Sequence, residues 1–201
     1  MKVTVTIDRN EKKLHRWRFS KTIKWYPTRD SAGKIVVVRT EKKVLSAGDY
    51  CLKGFEECCI IEKKGSLREL SANLLGEDYT RAMDAFKRLS NATANPYLVV
   101  ECTAAELRTR SRWLQEPARI VDSLCSLMER LGLRLILCGK CVDVRQKRTV
   151  GDLMLRLMLA HAYQQEEDLS CDTVIAKLTS ELEHNGTWTK GKEGPPSSLP
   201  S

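Results

Sequence analysis

Two acids and a lysine, Asp49, Glu62 and Lys64, stand at spacings that suit hydrolysis of a phosphodiester. Asp49 ends one apolar run within Gly48-Asp49-Tyr50, and Glu62 and Lys64 end the next within Ile61-Glu62-Lys63-Lys64. On a strand, side chains at i and i+2 share a face, so Glu62 and Lys64 point together and Lys63 points away. If the two runs pair as neighbouring strands, Asp49 meets Glu62 and Lys64 at one edge of the sheet. Two carboxylates there can hold Mg²⁺ or Mn²⁺ through oxygen, and the lysine can orient a water or stabilise charge on the phosphate. Spacing alone leaves a second reading, two solvated strand ends.

The elements that must position these residues are legible from periodicity and punctuation. Residues 3–7 alternate Val, Thr, Val, Thr, Ile, residues 34–38 are β-branched and apolar, and residues 58–62 form another apolar run. With the turn signals at Pro27 and Asp30-Ser31-Ala32-Gly33, they read as a small antiparallel set joined by short turns. Ser66-Leu67-Arg68-Glu69 is a capping-box pattern that predicts a helix to about residue 75. It gives Glu69 two compatible roles, helix cap and metal ligand. Amphipathic residues 79–89, a strand over 97–102, a capped helix from Thr103, a helix over 117–131, a strand over 133–138 and a helix over 149–165 follow. Strands first, then alternating helices and strands, predict an α/β fold with a mixed sheet flanked by helices. The chain thus reads as a domain over 1–165, a helical extension over 166–184 and a flexible Gly/Pro/Ser-rich tail over 185–201.

The formal charge of +8 favours an anionic partner. Cations concentrate between Arg9 and Lys53, where thirteen lysines and arginines face only Glu11, Asp30, Glu41 and Asp49. Arg9, Lys12 and Arg16 are therefore candidate nucleic-acid contacts. Trp17, Trp25 and Tyr26 lie among these cations and either stack unpaired bases or form a small core. The eight cysteines are irregularly spaced, and the single CxxC, Cys138 to Cys141, has no second pair to complete a zinc site, so reduced thiols are expected. No apolar run approaches the length of a membrane span and no signal peptide opens the chain, which predicts an intracellular protein without a membrane partner.

Together these residues resemble the XPF-type nuclease domain, whose signature is GD…ERK…D. Gly48-Asp49, Ile60-Ile61-Glu62-Lys63-Lys64 and the helix from Ser66 carry the likeness. Val3 to Asp8 followed by Arg9-Asn10-Glu11 is similar to the family's opening strand and its D-x-R-E. Arg81 and the strand ending in Glu101 also fall where the family has an arginine and a Glu. Lys63 stands in place of the usual Arg, Asn10 in place of another, and Glu69 replaces the Asp after a one-residue insertion. The likeness covers about residues 1–160.

The resemblance implies a restriction-endonuclease-like α/β core and a metal-dependent endonuclease acting on branched, flapped or single-strand-containing DNA. In that assignment Asp49, Glu62 and Lys64 are catalytic. Asp49 and Glu62 bind Mg²⁺ or Mn²⁺ directly, with the Lys63 backbone carbonyl as a third oxygen, and Asp8, Glu11 and Glu69 add outer-sphere or second-metal contacts. Arg9 and Lys63 meet phosphate, and Arg81 holds the site acids. Asp8 as a strand terminator, Arg81 as a surface helix cation, and Glu101 and His161 as hydrogen-bonded structural residues are the alternatives. A homodimer or a nuclease-family partner is also implied. The competing functions are a non-catalytic DNA-binding or scaffold subunit and a basic protein-binding adaptor.

Overall fold

The computed structural model describes the backbone of residues 1–185 and the side chains of residues 1–167. The described residues contain strands β1 (Lys2–Asp8), β2 (Thr22–Trp25), β3 (Lys34–Lys43), β4 (Tyr50–Leu52), β5 (Ile60–Lys64), β6 (Pro96–Val100) and β7 (Arg134–Leu137). The helices are α1 (Leu67–Leu75), α2 (Tyr79–Ala92), α3 (Ala104–Arg108), α4 (Pro117–Leu131) and α5 (Val144–Asn185). A compact unit spans Met1–Gln165 and a second begins at Glu166. The predicted tail after residue 185 lies outside the described residues.

One mixed sheet runs in the order β2-β3-β1-β4-β5-β6-β7. Its first part corrects the expected antiparallel set. β1 and β3 are parallel over seven residues, from Lys2 opposite Val37 to Asp8 opposite Lys43, because β2 intervenes in the chain and forms the outer, antiparallel edge. β2 hides among cations, yet Ile23 and Trp25 turn inward while Thr22 and Lys24 face out. β1 and β4 are antiparallel, as are β4 and β5, whereas β5-β6 and β6-β7 are parallel.

Helices cover both faces, so alternate residues of each inner strand enter different cores. Val5, Ile7, Tyr50, Ile61 and Val99 pack with Met154, Leu155, Met158 and Leu159 of α5. Cys51, Ile60, Leu98 and Val100 pack with Leu70 and Leu74 of α1, Phe86 and Leu89 of α2, and Ile120, Leu124 and Leu127 of α4. This division gives adjacent lysines on β5 unlike surroundings.

The helix ends follow their sequence signals closely. Ser66 Oγ accepts the Glu69 N–H, and Gly132 closes α4 in the left-handed region. α5 starts five residues before the expected Thr149. Asp143 accepts the Gln146 N–H at 2.7 Å, and Gln146 Oε1 accepts the Val142 and Asp143 N–H groups, a reciprocal cap that sequence reading passed over.

Candidate active site

Gly48 and Asp49 together set the first acid. Gly48 has φ +68°, where a β-carbon is unfavourable, and a side chain there would also strike Ile60. The turn delivers Asp49 to the start of β4, where its N–H donates to the Ile61 carbonyl at 2.8 Å. Its Oδ2 accepts the Lys63 N–H at 2.7 Å, so the carboxylate takes the place of a backbone partner beyond the β4–β5 ladder. Glu62 and Lys64 come from the adjoining strand, and Lys64 Nζ lies 2.8 Å from Glu62 Oε1.

Asp49, Glu62, Glu11 and Glu69 line one cleft of about 450 Å³, with Lys12 and His15 also on its wall. Burial raises the Asp49 pKa well above its ordinary value. Repulsion from Glu62 and Glu11 adds to this, against the Lys63 hydrogen bond. Burial alone would lower the Lys64 pKa, but Glu62, Glu69 and Asp49 more than offset it and hold the ammonium above the ordinary lysine value. Lys64 also lies 5.4 Å from the centroid of the Phe86 ring.

Lys63 behaves differently. Only 6% exposed, it turns to the other core, where Nζ lies 3.1 Å from Glu11 Oε1 and 3.5 Å from Glu101 Oε1. It also donates to the His15 carbonyl at 2.8 Å. Trp17 Nε1 donates to Glu101 at 3.0 Å, the Trp17 N–H donates to the Tyr50 hydroxyl, and that hydroxyl donates to Glu11. This buried network ties the segment after β1 to the site strands. Lys63 was expected on phosphate, but its ammonium is occupied inside the protein. Of the two readings of Trp17, base stacking and a small core, the structure favours the core, since Trp17 is 1% exposed and stacks on Tyr50 with centroids 4.8 Å apart. Trp25 likewise lies in the core.

The remaining expected residues divide. Asp8 uses Oδ1 to accept the Asn10 N–H and Oδ2 to accept the Leu45 N–H, so both oxygens serve the backbone rather than a second metal. Glu69 Oε2 accepts the Gly65 N–H at 2.9 Å and Oε1 lies 3.7 Å from Lys64, which joins its capping role to the cleft. Arg81 meets Asp78, the residue just before α2, at 2.7 Å and forms no ion pair with the site acids. Arg9 is exposed and Arg16 half-buried, both outside the cleft lining, whereas Lys12 is part of it. Glu101 and His161 are hydrogen-bonded within the body, His161 to the Tyr97 hydroxyl.

Among the described residues no three His, Cys, Asp or Glu side chains converge as a ready-made metal cage. Asp49 and Glu62 suit a hard cation such as Mg²⁺, which commonly takes one or two carboxylates and completes its shell with waters and substrate oxygens. Sequence reading did not assign His15, Gly65 and Ser66 to this cleft. Gly65 and Ser66 follow Lys64 directly in the chain, whereas His15 arrives from the segment after β1.

No family model matches the sequence, and no curated protein matches it. The fold does have solved counterparts. XPF from Aeropyrum pernix superimposes with a TM-score of 0.51 at 16% identity, covering 88% of this chain and 73% of that one. The fold is XPF-like. XPF from Aeropyrum pernix in complex with DNA gives a TM-score of 0.49 at 16% identity, covering 82% and 66% of the two chains. The restriction-endonuclease-like architecture expected from the sequence is thus the one observed. Among the described residues no helix is long and apolar enough to cross a membrane.

Proposed function

We propose that this chain is a divalent-metal-dependent DNA endonuclease. The observation that carries the reading is the convergence of Asp49 and Glu62 in one cleft, with the Lys64 ammonium 2.8 Å from Glu62. The XPF-like fold and the basic N-terminal third support the choice of substrate.

Asp49 and Glu62 would hold Mg²⁺ or Mn²⁺, which supplies Lewis acidity toward the phosphate and acidifies a water. The protein's own groups do the positioning. The Lys63 N–H fixes one Asp49 oxygen. The Lys64 ammonium donates to Glu62 at 2.8 Å and has further donors to offer the phosphate. Its charge is preorganised for the negative charge that develops on the phosphate. Lys12 on the wall attracts the phosphate backbone, and Lys63 holds Glu11 and the segment bearing Lys12 in place. Preference for branched, flapped or single-strand-containing DNA is part of the proposal.

The test is a cleavage panel of labelled forks, flaps, junctions and linear duplex with Mg²⁺, Mn²⁺ or EDTA. Cutting that needs the metal and disappears in Asp49→Asn and Glu62→Gln supports the reading. Tight DNA binding with no cutting of any substrate by the wild type would assign the chain a non-catalytic role instead.

A further inference from the structure

We propose that the larger cleft beside the acid cleft seats an unpaired stretch of the nucleic-acid strand. Trp113 is its stacking platform and Arg68 its phosphate partner on the cleft wall, with Arg112 a second phosphate partner on the adjoining hollow. The inference rests on the nuclease reading above and specifies which form of substrate enters beside the site.

The cleft measures about 710 Å³ and shares His15, Gly65 and Ser66 with the acid cleft, so the two hollows adjoin. Trp113 stands on its wall and is 42% exposed, whereas Trp17 and Trp25 are buried. The loop bearing it is short and anchored. Leu114 is buried, and Ser111 and Leu114 pair as a β-bridge, so the indole is presented on a fixed support. The Arg68 guanidinium, from α1, lies 4.6 Å from the indole centroid, and that of Arg112 lies 4.5 Å from it. Arg68, Arg112 and Trp113 also wall a third hollow of about 330 Å³, which Glu77 lines as well.

Charge favours an anionic strand over an apolar peptide. The acids on the cleft wall are already matched, Glu106 by Lys140 at 2.5 Å and Glu101 by Lys63 at 3.5 Å. Neither Arg68 nor Arg112 has an acid within ion-pair distance among the described residues. Both guanidiniums lie over the indole, so a base stacks on Trp113 when Arg68, exposed on α1, moves its donors from the ring to a phosphate. A blunt duplex hides its base faces and can use only the donors. An unpaired strand can use both.

The experiment compares the full chain and its variants in EDTA, where the proposed reaction is blocked. The probes are a short fluorescein-labelled oligothymidylate and a blunt duplex of equal length. Trp113→Ala should weaken oligothymidylate binding about tenfold or more, with a smaller loss on the duplex. Trp113→Tyr, which keeps a stacking ring, should recover most of the affinity. Arg68→Gln and Arg112→Gln should each weaken oligothymidylate binding and make its salt dependence shallower. Arg68 is exposed on α1, so its variant carries the test if Trp113→Ala does not fold. Unchanged oligothymidylate affinity in Trp113→Ala, or equal losses in the Ala and Tyr variants, overturns the proposal. If Lys64→Gln abolishes cleavage while Trp113→Ala binds like wild type, only this inference fails. If the wild type neither binds nor cuts any nucleic acid, the nuclease reading falls with it.

Discussion

The Lys64 ammonium lies 2.8 Å from the carboxylate of Glu62, two residues earlier on the same strand. A lysine so close to a proposed metal ligand neutralises part of its charge before substrate arrives. In the metal-free protein Glu62, Glu69 and Asp49 outweigh its burial and raise its pKa above the ordinary lysine value. The pair is therefore suited to charge stabilisation rather than proton abstraction.

Lys64→Ala should lower the single-turnover cleavage rate by on the order of 10²-fold or more, the scale of losing one preorganised electrostatic group. Titration calorimetry should find Mg²⁺ affinity unchanged or higher, since a neighbouring positive charge has gone. A large fall in metal affinity together with a normal rate at saturating metal would remove Lys64 from the chemistry.

Lys63→Ala should behave in the opposite way. Its ammonium is buried between Glu11 and Glu101, so truncation leaves two carboxylates without their cation. Breaking a buried ion pair costs about 3–5 kcal/mol, and urea denaturation should register a loss of that order. Lys63→Met keeps the aliphatic stem but not the charge and should recover little. A Lys63→Ala protein as stable as wild type that merely binds DNA less well would restore the phosphate-contact role expected from sequence.

Gly48→Ala tests why an acid at the start of β4 follows a glycine. The φ of +68° costs a residue with a β-carbon about 1–2 kcal/mol, and the new methyl group also meets Ile60. Stability should fall by at least that amount. The turn should shift Asp49, so cleavage should drop even at temperatures where the variant remains folded. Wild-type melting and rate would show that the turn tolerates a left-handed alanine.

The sequence carried most of the local structure and the heart of the candidate site, because both depend on short-range rules. Alternation on β5 separated Glu62 and Lys64 from Lys63, and Ser66, Thr103, Pro117 and Gly132 marked helix ends through their own backbone chemistry. What escaped depended on partners distant in the chain. Trp17 among cations reads equally as a base-stacking or a core residue until Tyr50 and Glu101 are brought to it across 33 and 84 residues. Asp8 reads as a ligand until Leu45, 37 residues away, claims one of its oxygens. The parallel pairing of β1 with β3 is likewise invisible until β2 is recognised as a strand.

The last prediction concerns Asp49 and its linkage to pH and metal. Its folded pKa lies well above 3.8, through burial first and then repulsion from Glu62. Between the unfolded and folded values the native state holds more protons than the unfolded chain. Asp49's own contribution to stability in EDTA should therefore fall as pH rises from about 3.8 through the folded value, the reverse of a salt-bridged aspartate. Asp49→Asn removes the charge and should flatten that slope, melting higher than wild type above the window by roughly 2–4 °C for each 1 kcal/mol of penalty relieved. Mg²⁺ should reverse the comparison. It binds the folded wild type and raises its melting temperature at neutral pH, while Asp49→Asn should gain much less. Calorimetry in buffers of different ionisation enthalpy should detect protons released as Mg²⁺ binds, because the cation requires the carboxylate. A melting-temperature difference between Asp49→Asn and wild type that does not grow with pH through this window in EDTA, or an equal Mg²⁺ gain in Asp49→Asn, would remove Asp49 as the buried ligand of the proposed site.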